Sequence, residues 1–183
     1  MEMETDSAPP HAGPPYGAKH VVFSHGKESG PWGWKIRALA NVASAAGWAV
    51  DSLDYQGLAD PAERVARLVA AGQGAQGPLV LVGSSLGGHV CTAAAAQLPV
   101  RGIFLLAPAF FMPGFEALTP PMPACPVEIV HGWHDDIVPV DNSLRWARPG
   151  AARMHLLATE HRMHDVIPEL EQLFAAFLAR LAA

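Results

Sequence analysis

Three short stretches of the chain concentrate side chains able to break bonds. They are Gly83-Ser84-Ser85-Leu86-Gly87, the run HGWHDDIVP over 131–139, and the run TEHRMHD over 159–165. A serine hydroxyl is a weak nucleophile, useful once a base takes its proton and a third group holds the base. The first stretch offers the serine, the second offers carboxylates and the third offers imidazoles. Glycines two residues to either side of Ser85 suit a sharp strand-to-helix turn that lifts a hydroxyl clear of the backbone. Ser84 reads as a turn residue. Asp135 and Asp136 are both candidates for the third group, and His161 and His164 for the base.

The other reactive residues have quieter readings. His25 and His131 each precede a glycine and read as backbone-orienting side chains, and His89 reads as packed. His131, His134 and Asp135 crowd one loop without a second cluster, so no metal is expected. Lys27 in GKES lacks the spacing of a phosphate-binding loop, and no organic cofactor is expected. The two cysteines, Cys91 and Cys125, form neither a CxxC pair nor a disulfide framework.

These stretches need elements to hold them. The chain has 183 residues, half of them hydrophobic and 16% charged, which suits one folded domain over 18–183. The acidic, proline-rich residues 1–17 read as a disordered lead-in without the features of a signal peptide. Short β-branched and aromatic runs mark strands at 20–25, 48–55, 79–83, 102–107, 127–131 and 153–158. Helical spacing marks the segments between them, and a last helix begins near Asp165. Asp60-Pro61-Ala62-Glu63 is a helix start, Gly47 a helix-ending glycine, and Gly72 the expected end of the second helix. Six strands alternating with helices predict a three-layer α/β fold, with a mostly parallel sheet and helices on both faces. Ligands then bind beyond the carboxyl ends of the strands, which is where the three stretches fall.

With SHGKESGPWGWK, VGSSLGGHV, VEIVHGWHDDIVPV and TEHRMHD in that order, the chain resembles the α/β-hydrolase superfamily, and in particular its small, cap-less bacterial members. The likeness runs from His20 to the C-terminus, although two strands at the start of the family's sheet are missing. The resemblance implies an α/β-hydrolase fold with Ser85 as nucleophile, Asp135 as acid and His161 as base. It also implies an oxyanion hole built from the backbone N–H groups of Lys27 and Leu86. The activity it implies is hydrolysis of small carboxylic esters or thioesters through an acyl-enzyme.

Aromatic residues cluster at the strand ends, and Trp32, Phe110, Phe111 and Trp133 are the expected pocket walls. The segment 108–125 has 18 residues and five prolines, too interrupted for a helical cap, so an open site is expected. A net charge of -5 without a basic stripe argues against nucleic acid as a partner. No apolar run approaches the roughly 18 residues of a membrane span, and the expected location is cytoplasmic. The rival readings are a non-catalytic interaction protein on the same scaffold and a peptidase or amidase using the same three residues. Oligomeric state has no signature in the sequence.

Overall fold

The computed structural model describes residues 17–182, so the expected tail lies outside the described residues except for Gly17. The strands are β1 (His20–Ser24), β2 (Ala49–Leu53), β3 (Leu79–Ser84), β4 (Val100–Leu106), β5 (Val127–Gly132) and β6 (Arg153–Leu157). The helices are α1 (Trp34–Ala45), α2 (Pro61–Gln73), α3 (Leu86–Ala94), α4 (Val140–Ala147) and α5 (Ile167–Ala182). The sheet order is β2-β1-β3-β4-β5-β6, and every pairing is parallel.

Parallel strands covered on both faces must be apolar on both faces. Val21, Phe23, Val80, Val82, Phe104 and Leu106 pack with α1 and α5. Their alternates Val22, Leu79, Leu81, Ile103, Leu105 and Ile129 pack with α2, α3 and α4. Asp60 caps α2 as its sequence predicts, accepting from the Ala62 N–H at 2.8 Å with Pro61 behind it. Gly47 takes φ +75°, as a helix-ending glycine does. Gly72 does not end α2, which runs on to Gln73. Gly72 lies under Leu98, whose Cδ1 would stand 2.5 Å from a Cβ there.

The chain leaves β1 for β2 on one side and returns to β3 on the other. That reversal opens a crevice between the loops after β1 and β3. Registers pair Ser24 with Gly83, and Ser84 with Leu106, so the strands end together at that crevice. No cap is inserted between β4 and β5, where the one helical element is a single turn at Glu116–Leu118.

Candidate active site

Ser85 sits between β3 and α3 with φ 54° and ψ -119°, a conformation that strains any residue other than glycine. Its neighbours allow the turn. A Cβ on Gly87 would lie 1.9 Å from the Ser24 carbonyl oxygen, and one on Gly83 would lie 2.4 Å from that of Gly87. The two glycines let α3 start directly against β1 and β3. The Ser85 N–H donates to Leu106 at 2.9 Å, and its carbonyl accepts from Ala109 at 3.0 Å, which ties the turn to β4 and the segment beyond it.

Two loops bring Asp135 and His161 together. The N–H groups of Trp133 and His134 donate to the carbonyls of Leu157 and Thr159, at 2.8 and 3.0 Å. So close an approach needs Gly132, where a Cβ would stand 2.3 Å from the Thr159 oxygen. As a result His161 Nδ1 meets Asp135 Oδ2 at 2.7 Å. The Asp135 carboxylate is 0% exposed. Its Oδ1 accepts from the N–H groups of Ile137 and Val138, at 2.9 and 2.8 Å. His131 Nε2 adds a contact to Oδ2 at 3.1 Å. Burial pushes the carboxyl pKa up, but the bonds from His131, His161 and Val138 outweigh it and hold it well below the usual carboxylate range. His131 is itself fixed by the Ser143 hydroxyl and the Val138 carbonyl, at 2.8 and 2.9 Å. His164 stacks on Trp34 with ring centroids 3.9 Å apart, and Asp136 is exposed at the rim.

The loop after β1 is anchored from below. His25 Nε2 accepts from the Tyr55 N–H at 2.9 Å, so its Nδ1 carries the proton and donates to the Gly26 carbonyl at 2.7 Å. Burial lowers the His25 pKa, which favours this neutral form. Arg64, buried on α2, donates to the same carbonyl at 3.2 Å. In a trans peptide the next N–H points the opposite way, so the Lys27 N–H is directed away from His25 and Arg64. Arg64 falls on the apolar stripe with Leu68 and Gly72, and that position on the helix face is the signal by which the sequence could have exposed it.

Ser85, Leu86, Lys27 and His161 line one cleft of about 840 Å³. The expected walls are different residues. Phe110 is 0% exposed and stacks on Trp146, with centroids 4.5 Å apart. Phe111 lies under the Arg145 guanidinium, 3.9 Å from its ring centroid. Trp32 packs on the core beside α1, and Trp133 is 53% exposed outside the cleft. The cleft walls are instead Trp34, Met112, Phe115, Leu118 and Ile137, with His89 and Lys35 as polar members. Side-chain direction in an irregular loop follows no period, so the sequence could not choose among neighbouring aromatics.

A family model described as "Alpha/beta hydrolase family" matches residues 21–183, and the chain belongs to that family. No match was found among curated proteins. A solved structure named as a hydrolase of the α/β superfamily, from Xanthomonas campestris pv. campestris, is 34% identical with a TM-score of 0.83. It matches over 88% of this chain and 99% of its own. Est1E from Butyrivibrio proteoclasticus shares the fold at 15% identity and TM-score 0.77, over 92% of this chain and 90% of its own. So does α/β hydrolase domain-containing protein 10 from mouse, at 23% identity and TM-score 0.71, over 88% and 90%. Among the described residues no helix is long and apolar enough to cross a membrane.

Proposed function

We propose that the protein is a serine hydrolase of small carboxylic esters or thioesters, with Ser85 as nucleophile, His161 as base and Asp135 as the group that holds it. The observation that carries this reading is the 2.7 Å contact of His161 Nδ1 with a buried, ionised Asp135, His161 lining the same cleft as Ser85. Accepting at Nδ1–H, Asp135 leaves Nε2 of His161 free of its proton and able to take one. Ser85 attacks the acyl carbon as His161 removes the hydroxyl proton. The oxyanion forms against the N–H groups of Leu86, at the start of α3, and Lys27. His161 returns the proton to the departing alcohol or thiol. Water, activated by the same imidazole, then attacks the acyl-enzyme and frees the acid and Ser85.

The apolar wall of Met112, Phe115, Leu118 and Ile137 suits an acyl chain or an apolar leaving group. The test is fluorophosphonate labelling with mass-spectrometric mapping, alongside turnover of matched esters, thioesters and amides. Labelling at Ser85 with ester or thioester turnover is expected. Faster amide turnover would make the protein an amidase, and an unlabelled, inactive protein would be a binding module.

A further inference from the structure

Lys35 is the second residue of α1, half-buried in the cleft wall, and the hydrolase reading does not use it. Its Nζ lies 3.4 Å from the His161 carbonyl oxygen and 5.8 Å from the Trp34 ring centroid. Among the described residues no carboxylate forms an ion pair with it. The cleft carboxylates Glu28, Asp136 and Glu160 are exposed, and Asp135 is already engaged by two imidazoles and two backbone N–H groups.

Helix stability does not account for this lysine. An ammonium in the first turn opposes the helix dipole, and α1 has no acid in its first turn to offset it. Burial also disfavours the charge, pushing the Lys35 pKa down to about 8 against the attraction of Asp135. A cation kept at such a cost in a substrate cleft fits a ligand that brings the missing negative charge.

We propose that Lys35 is an anion subsite and that the ester cleaved here carries a carboxylate, on its acyl or its leaving group. This rests on the hydrolase reading. Donating to the His161 carbonyl, the Lys35 ammonium lies beside the base and shares the cleft with Ser85. A carboxylate bound there keeps the neighbouring ester carbonyl in the same cleft. The apolar wall of Phe115, Leu118 and Ile137 takes the uncharged portion. A charge-assisted hydrogen bond away from bulk water is strong enough to give a preference of about tenfold or more.

The experiment compares charged and neutral esters in pairs, at neutral pH, in wild type, Lys35→Met and Lys35→Arg. Monoethyl succinate against ethyl pentanoate places the carboxylate on the acyl side. 4-Acetoxybenzoate against phenyl acetate places it on the leaving group. The readout is the ratio of kcat/KM, charged over neutral, within each pair. In one pair that ratio should fall about tenfold or more in Lys35→Met and recover in Lys35→Arg, and the pair that responds tells which side carries the carboxylate. Ratios unchanged in both pairs would overturn the subsite and leave Lys35 as a tether for the His161 loop. Fluorophosphonate labelling of Ser85 separates the two proposals. Labelling with unchanged ratios removes the subsite alone, whereas a wild type that does not label removes the hydrolase reading and the subsite with it.

Discussion

Replacing Asp135 by Asn keeps the shape of the side chain and changes one oxygen to an NH₂ group. Oδ1 can remain an oxygen and still accept from Ile137 and Val138, at 2.9 and 2.8 Å. The NH₂ then takes the place of Oδ2, where two ring N–H groups point, from His161 at 2.7 Å and His131 at 3.1 Å. His131 keeps its bond to the Val138 carbonyl. His161 must either lose its partner or move its proton to Nε2, and an imidazole protonated at Nε2 cannot take the serine proton. The expected loss in kcat is about a thousandfold or more, equivalent to ~4 kcal/mol or more of barrier. Loss of charge-assisted bonds at a buried carboxylate should also cost about 2–4 kcal/mol of stability. Because folding depresses the Asp135 pKa, this stabilisation is complete above the ordinary carboxylate pKa and fades as pH falls through the folded value. The stability gap between wild type and variant should therefore narrow from roughly pH 4 downward. Turnover of p-nitrophenyl butyrate checks the first figure, and urea unfolding at several pH values the second. Asp136→Asn, at an exposed site, should stay within a few-fold of wild type. An Asp135→Asn enzyme within tenfold of wild type, or an Asp136→Asn enzyme that loses a thousandfold, would refute the assignment of the acid.

Ser85→Ala should abolish fluorophosphonate labelling and nearly all turnover while the unfolding midpoint barely moves, since one hydroxyl at the cleft surface is lost; full activity would contradict the nucleophile. Gly87→Ala should cost about 3 kcal/mol or more, or prevent folding, because its Cβ would overlap the Ser24 carbonyl oxygen at 1.9 Å; urea denaturation measures it. Arg64→Met removes one of the two donors that hold the Gly26 carbonyl, so kcat should drop about tenfold with KM changing less, as the Lys27 N–H proposed for the oxyanion loosens; an equal rise in KM alone would point to substrate binding instead. Folding lowers the Lys35 pKa to about 8, so the unfolded chain binds more protons above that pH and stability should rise from about pH 8 towards roughly pH 10; in Lys35→Met that rise should vanish. With no cap inserted between β4 and β5, kcat/KM for p-nitrophenyl esters should climb over the first few acyl carbons and then level or fall, each covered methylene adding ~0.8 kcal/mol; steady improvement to palmitate would mean a deep tunnel.

Local physics wrote much of this protein into its sequence. Strand runs of five to eight residues, the Asp60-Pro61 helix start and Gly47 each act over a few neighbours, and the structure forms the corresponding elements with ends shifted by at most two residues. The alternation of strand and helix then restricts the topology to a parallel sheet, so the stretches at 83–87, 131–139 and 159–165 had to gather at one edge. Which carboxylate meets which imidazole was open between Asp135 and Asp136 in the residues themselves. The Asp135–His161 contact depends on β5 and β6 lying side by side, with their loops pressed together at Gly132, a pairing between residues 26 apart in the chain. The pocket walls were beyond sequence reading for the same reason. Phe110 and Phe115 are equally apolar as letters, yet one fills the space under Trp146 and the other stands 62% exposed at the cleft mouth. Arg64 and Lys35 are ordinary helix residues until α2 and α1 are laid against the loop after β1 and the turn at His161. Burial, and with it the work a charge can do, is a property of what the rest of the chain places around it.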